Sequence, residues 1–533
     1  MKTSHLPEIW WKETVFYQIY MPSFCDSNGD GYSDFTGMTG KLDYIRSLGI
    51  RGIWLTPFLL SPKIDNGYDV ASYTDIDPTY GTHEDFVLFL KEAHQRDIKV
   101  IIDMVFNHTS TDHVWFREAR SSKDNLYRNY YIWKDAPNNW ESFFGGPAWE
   151  FDPITNQYYY HKFDRQMADL NWSNPEIKVE IEGILRYWLE SGIDGFRLDV
   201  INFLTTDQDW KDNPEVDGKQ IHQNDIDQQG IYDAIRHLKS IVDEYDSRFM
   251  VGEIGSDQLG VIQQYQASDL LDVVFNFNLG SLPQFSVANI YKELQRMETD
   301  MYGYPTLFFS SHDMPRMIDR LAEGNNQRAA TLAALILTAK GVPFIYYGEE
   351  IGMHNIKAVY PEEIVDIQGI SQYRLALSKG KSNEEALIEG NKHNRDQSRS
   401  PMQWNTQAFA GFTTHKPWIK INENYKWINV QAQQEDEESI WNVYRELISL
   451  RNSERTLQYG EYERMGQSDN RILFTRVYQG EKITVLLNFG EKMKVELPKD
   501  SVCLMGNTML QKDGFIIYKE KIAFPWQEFP SAT

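Results

Sequence analysis

Arg197-Leu198-Asp199 sets a guanidinium two positions from a carboxylate inside a short apolar run, residues 195–200. If that run is a strand its side chains alternate, so Arg197 and Asp199 face one way while Phe196 and Leu198 face the other. A guanidinium beside a carboxylate favours the ionised acid, the form a carboxylate nucleophile needs. An isolated pair of this kind is more often a structural ion pair. This one has company: Asp103, with Asn107 and His108 close behind, ends a second apolar run, Glu253 ends a third, and His312 and Asp313 follow a fourth. Charges beside an apolar core cost free energy unless they serve something. Two chemistries suit the set: metal-assisted hydrolysis with His and Asp ligands, or glycoside cleavage by a nucleophile and an acid. The sequence lacks paired histidines at ligand spacing, which ranks the metal chemistry low. In the other, Asp199 attacks an anomeric carbon while Glu253 protonates the leaving oxygen. Retention of configuration then requires the two carboxyls to lie about 5 to 5.5 Å apart.

The elements that must hold these residues alternate between strand and helix. Apolar strand patterns fall at 15–20, 52–55, 100–105, 195–200, 249–253, 273–277, 306–310 and 343–347. Helical stretches such as 42–48, 85–96, 177–190, 229–245 and 327–339 lie between them. Alternation implies a parallel sheet, and eight strands over this length imply an α/β fold closed as a (β/α)₈ TIM barrel. In such a barrel, polar residues at the C-terminal strand ends face one mouth. The pattern divides the chain into a barrel formed by 1–103 and 171–455, an excursion domain at 104–170 after the third strand, and a second excursion at about 352–411 after the eighth. A C-terminal antiparallel β-sandwich occupies 456–533, with short strand patterns at 471–477, 483–487 and 514–518.

Composition narrows the partners. The net charge of −24 over 533 residues argues against nucleic acid and anionic membrane. Two cysteines, Cys25 and Cys503, exclude a disulfide framework and make a reducing compartment the default. Residues 1–8 lack the apolar stretch of a signal peptide, and no run is long enough to span a membrane, so a cytoplasmic location is expected. Nothing in the sequence sets an oligomeric state.

Between residues 26 and 34, oxygen-bearing side chains alternate with glycines. Asp26, Asn28, Asp30 and Asp34 offer side-chain oxygens and Tyr32 its carbonyl, the spacing by which a tight loop wraps a hard cation. Gly37 stands where an EF-hand has its bidentate glutamate, so the expectation is a structural Ca²⁺ or Mg²⁺ rather than a regulatory one. No organic cofactor is expected.

Asp103-Met-Val-Phe-Asn-His108, Gly195-Phe-Arg-Leu-Asp199, Gly252-Glu253 and Ser311-His312-Asp313 resemble, in order, the four sequence signatures of the α-amylase family of retaining glycosidases. Ala168-Asp169-Leu170-Asn171 is similar to that family's signature at the end of its excursion domain. The resemblance implies that Asp199 is the nucleophile, Glu253 the acid/base and Asp313 the third carboxylate, which binds sugar hydroxyls. Asp65-Asn66-Gly67-Tyr68-Asp69-Val70 resembles the oligo-1,6-glucosidase and dextran glucosidase branch. There Asp65 would bind a non-reducing terminal glucose and Tyr68 would stack on it, making the enzyme exo-acting. His108, Arg197, His312 and Arg316 would complete that site, with Phe163 touching the sugar. Arg399, in the stretch from Arg395 to Trp404, would lie near the entrance.

Val200, following the nucleophile, is the residue found in α-1,6-acting members, which points to isomaltose-type substrates. The chain departs from the branch at Ile254-Gly255, Ser311, Met314 and Met21-Pro22, all bordering the aglycone side. Hydrolysis and transglucosylation, and α-1,6 and α-1,4 preference, therefore both stay open. A trehalose-6-phosphate hydrolase would need a phosphate-binding cationic cluster that the sequence does not reveal. A sucrose isomerase would need an arginine-rich steering motif, of which Asp319-Arg320 is a faint echo. Non-catalytic relatives lose catalytic carboxylates, and here all three are present.

Overall fold

Residues 9–521 are described by the computed structural model of the chain; the readings made on residues 1–8 and 522–533 lie outside the described residues. Eight strands form one sheet: β1 (Phe16–Ile19), β2 (Gly52–Leu55), β3 (Lys99–Met104), β4 (Gly195–Leu198), β5 (Phe249–Gly252), β6 (Val273–Val274), β7 (Thr306–Leu307) and β8 (Val342–Tyr346). Their order is β6-β5-β4-β3-β2-β1-β8-β7, every pairing parallel, as in a (β/α)₈ barrel. At the β6–β7 seam Asn276 donates its backbone N–H to Thr306 Oγ1 at 2.9 Å, and the Phe275 and Phe308 rings meet at 5.5 Å. Strand β6 is shorter than its apolar run because Asn276 turns from the ladder to cap the short helix Phe277–Gly280, and β7 is equally short.

Strand parity builds the interior. Phe16, Trp54, Ile101, Phe249, Val251, Val273, Phe275 and Phe344 pack as one cluster inside the barrel, apart from the larger core between strands and helices. Gln18 shares the parity of Phe16 and therefore faces inward too. Gly195 is required at the start of β4, since a Cβ there would stand 2.1 Å from the Phe249 carbonyl oxygen.

Between β3 and β4 the chain forms an antiparallel pair, His108–Ser110 with Met167–Asp169, and a three-stranded sheet of Trp133–Lys134, Gln157–Tyr160 and Trp149–Asp152. After β8, helices Ile367–Ser378 and Asn383–His393 pack against one another, the second started by a Ser382–Glu385 capping box. The C-terminal part is an antiparallel five-stranded sheet, β9 (Glu461–Ser468), β10 (Arg471–Tyr478), β11 (Glu481–Asn488), β12 (Val502–Gly506) and β13 (Gly514–Lys521). A two-stranded sheet, Met493–Lys494 with Met509–Leu510, accompanies it, and Leu486, Leu510 and Ile516 fill the space between. Among the described residues no helix is long and apolar enough to cross a membrane.

Candidate active site

Backbone ladders carry the acidic residues to one mouth. Asp103 is the register partner of Arg197 across β3 and β4. Just past the strand ends, Asp199 donates its N–H to Met104 O at 3.0 Å and Glu253 to Leu198 O at 2.9 Å, so both carboxylates leave neighbouring strands at the same level. Between them Val200 holds a left-handed backbone, φ 37° and ψ 46°. For a β-branched residue that conformation costs about 1–3 kcal/mol, and it persists only where surrounding structure imposes it. Here the Ile201 N–H to Glu253 O bond, at 3.0 Å, fixes the turn.

Arg197 is the hub. Its Nη1 donates to Asp103 at 2.7 Å and Asp199 at 2.6 Å, and its Nη2 to Glu253, with the guanidinium beneath the Trp54 and Tyr68 rings. One cation thus serves three carboxylates. The expectation that Arg197 keeps Asp199 readily ionised is corrected in direction: burial, with Glu253 and Asp103 nearby, outweighs Arg197 and pushes the Asp199 carboxyl well up. Asp103 is likewise pushed up, to about 6, by burial against the opposing pull of Arg197. Asp199 and Asp103 therefore take up protons at higher pH than free carboxylates do.

On the opposite side, Gln18 Nε2 meets His312 Nδ1 at 2.7 Å, leaving the ring proton on Nε2, which faces Tyr68 Oη at 2.6 Å and Asp313 Oδ2 at 3.0 Å. Tyr68 stacks flat on His312, centroids 5.5 Å apart, and its hydroxyl also reaches Asp103 at 3.1 Å. Burial holds His312 neutral, its pKa lowered to about 3. Asp313 is opposed by burial, but the His312 Nε2–H at 3.0 Å and the cations Arg395 and Arg399 outweigh that and keep its carboxyl below the usual range. His108 Nε2 lies 3.2 Å from Tyr68 O, and its ring meets Phe163 at 5.3 Å. Side-chain exposure rises from 9% at Asp199 to 16% at Glu253 and 29% at Asp313, so all three reach solvent from a buried floor.

Asp65 lies across this mouth, tied at 2.6 Å to Arg395, which also reaches Asp313 at 3.4 Å. Sequence reasoning passed over Arg395, although it stands only four residues before Arg399. It also missed Asp366, buried in the excursion after β8, which grips Arg395, and Gln18, which strand parity could have flagged.

Two expected sugar contacts move. Arg316 does not line the mouth: its guanidinium donates to Tyr347 O and Ser398 O, both at 2.8 Å, and lies against the Tyr346 and Tyr347 rings. Arg399 is fully buried rather than at the entrance, donating Nε to His312 O at 2.8 Å and lying 3.2 Å from Asp313.

In the oxygen-rich loop the side chains bind the loop's own N–H groups. Asp26 accepts from Gly29 and Gly31, Asn28 from Asp30, and Asp30 from Tyr32. Asp34 accepts from Ser27 and caps the helix Phe35–Thr39 through Gly37. The Asp, Asn and carbonyl donor set suits a hard cation. Among the described residues no group of three or more His, Cys, Asp or Glu side chains is gathered as a metal site.

Comparison with known proteins matches residues 18–460 to the α-amylase catalytic domain. Oligo-1,6-glucosidase of Parageobacillus thermoglucosidasius is 38% identical over 92% of each chain. Trehalose-6-phosphate hydrolase of Bacillus subtilis (strain 168) is 38% identical over 93% of this chain and 92% of its own. Among solved structures, trehalose-6-phosphate hydrolase of Bacillus licheniformis superposes with a TM-score of 0.88 at 37% identity, covering 96% of this chain and 100% of its own. Trehalulose synthase from Pseudomonas mesoacidophila MX-45 superposes with a TM-score of 0.90 at 34% identity, covering 97% and 100%. With its carboxylates at the barrel mouth and a family match over most of its length, the chain belongs to the α-amylase family and is a glycoside hydrolase.

Proposed function

We propose that the protein is a retaining, exo-acting α-glucosidase that releases terminal glucose from short α-glucosides, with α-1,6 bonds of the isomaltose type preferred. The observation that carries this reading is the sharing of Arg197 by Asp199 and Glu253 from adjacent strand ends, which keeps two carboxylates within the span of one guanidinium. Asp199 attacks the anomeric carbon as Glu253 gives its proton to the departing glycosidic oxygen. A glucosyl ester of Asp199 forms, and water, losing its proton to Glu253, then displaces the carboxylate. An acceptor sugar in place of water gives transglucosylation. Asp313, held ionised, receives sugar hydroxyls and strengthens those bonds as positive charge develops on the ring. Asp65 closes the far end, which supports exo action.

Relatives of equal identity act on oligo-1,6-glucosides or trehalose 6-phosphate. Arg395 and Arg399, the arginines beside Asp313, are both engaged by carboxylates, which favours an uncharged glucoside over a phosphorylated one. No organic cofactor enters the scheme. Asp26, Asn28, Asp30 and the Tyr32 carbonyl are read as a structural Ca²⁺ seat outside the chemistry, with Asp34 bracing it as a helix cap. Product analysis on isomaltose, maltose, trehalose, sucrose and trehalose 6-phosphate tests the substrate assignment. Isomaltose should show the highest kcat/KM, and faster cleavage of trehalose 6-phosphate would overturn it.

A further inference from the structure

Phe143, in the excursion domain, is 58% exposed, yet its backbone is pinned. Its N–H donates to Lys162 O at 2.7 Å, and the adjoining Ser142 donates its N–H to Gly146 O at 2.8 Å and its hydroxyl to Phe163 O at 2.6 Å. Gly145 and Gly146, at φ 96° and 84°, turn the chain back so that Glu141 bridges Pro147. Lys162 is itself fully buried and paired at 2.6 Å with Asp225, in the insert after β4. The ring is therefore exposed on a rigid mount. That arrangement costs hydration free energy in the free protein and little ordering entropy when a partner covers the ring.

The rings beside it locate it. Phe143 lies 5.7 Å from Phe163, 6.3 Å from Phe144 and 6.5 Å from Phe203, centroid to centroid, and these three are buried. Phe163 meets His108, and Phe144 lies 5.5 Å from the Arg395 guanidinium, both at the glucose end of the mouth. Phe203 ends the helical turn Ile201–Phe203, which is tied to the acid/base strand end by the Ile201 N–H to Glu253 O bond at 3.0 Å. The four rings thus make one apolar wall from the glucose end to the Glu253 turn, and Phe143 is its outermost member. We infer that Phe143 is the platform for the aglycone ring, the second sugar of a short glucoside, whose apolar face it covers. This rests on the exo-glucosidase reading above. A phenyl group has no polar atom, so it selects for the presence of a ring, a task distinct from that of Val200. Lys162, whose ammonium lies 5.7 Å over the Phe203 ring, is engaged by Asp225, so the platform suits an uncharged sugar.

α-Glucosyl fluoride carries the same glucose with no aglycone ring. The ratio of kcat/KM for the preferred disaccharide, isomaltose on the reading above, over kcat/KM for α-glucosyl fluoride therefore isolates the contact. In Phe143→Ala that ratio should fall about tenfold, within the range that one apolar contact decides, chiefly through a higher KM for the disaccharide. Phe143→Tyr keeps the ring and should keep the ratio of the parent. A smaller fraction of active protein lowers both rates alike, so a folding defect does not mimic the result. The inference is overturned if Phe143→Ala shows the parent's ratio, or if Phe143→Tyr loses as much as Phe143→Ala. A parent protein that releases no glucose from α-glucosyl fluoride would overturn the exo-glucosidase reading itself, and this inference with it.

Discussion

The Asp366 carboxylate clasps Arg395, taking its Nε at 2.9 Å and its Nη2 at 2.6 Å, and so presents that guanidinium to Asp65 and Asp313. Asp366 is fully buried and Arg395 only slightly exposed, and Asp366 accepts the Arg395 backbone N–H as well. Asp366→Asn should therefore act through Arg395. The charge-assisted bonds it loses are worth about 1.5–3 kcal/mol, so KM should rise roughly tenfold to a hundredfold while kcat falls less. Asp366→Glu should recover part of the loss. Steady-state kinetics checks the split; an unchanged KM with only a lower melting temperature would make Asp366 a purely structural residue.

This relationship marks where the sequence stops being readable. Arg197, Asp199 and Glu253 sit at strand ends, where a period of two fixes which way each side chain points and parallel register fixes its neighbour. Those residues and the barrel strands around them were legible for that reason. Arg316, Arg395 and Arg399 sit at the ends of short helical turns between loops, where spacing carries no direction. A family pattern located the arginine-rich stretch but assigned Arg316 to the sugar and overlooked Arg395. Asp366 caps a helix in an excursion with no periodic signal joining it to the mouth, and only tertiary packing brings it to Arg395.

The acid limb of the pH profile follows from the crowding around Arg197. Asp199 works ionised, and burial, Glu253 and Asp103 all push its carboxyl up. Activity should fall as pH drops, at a higher pH than a free carboxylate near 4 would give. Asp103→Asn removes one of the repelling charges, so the Asp199 carboxyl moves down and the limb shifts toward acid. Overall activity should also fall, because Arg197 and Tyr68 lose a partner. Profiles of kcat/KM on p-nitrophenyl α-glucoside decide the point, and a limb that stays put or moves toward neutral pH contradicts it.

Val200 couples linkage preference to a strained turn. Its amide faces Glu253 Oε2 at 3.5 Å, and its side chain packs at the edge of the core directly after the nucleophile. Val200→Thr keeps the shape and replaces a methyl with a hydroxyl. The ratio of kcat/KM for isomaltose over maltose should fall roughly tenfold, in the range a single apolar group decides. An unchanged ratio would place the linkage determinant elsewhere.

The loop at residues 26–34 predicts a stability effect without a catalytic one. Calcium binding only the folded chain raises its melting temperature by mass action. A chelator should lower the melting temperature by several degrees while initial rates at 25 °C hold steady. Asp30→Ala should abolish the calcium response, whereas Asp34→Ala should destabilise with or without calcium because it removes a helix cap. Differential scanning calorimetry with and without calcium gives the comparison, and equal melting temperatures for the parent protein would contradict a cation seat.

The central claim is that Asp199, gathered with Glu253 on Arg197, forms the covalent bond to glucose. Peptide mass spectrometry of the protein trapped with 5-fluoro-α-glucosyl fluoride tests it most directly. The account predicts a single fluoroglucosyl ester on the peptide carrying Asp199; a label on Glu253 or Asp313, or turnover with no covalent adduct, would contradict it.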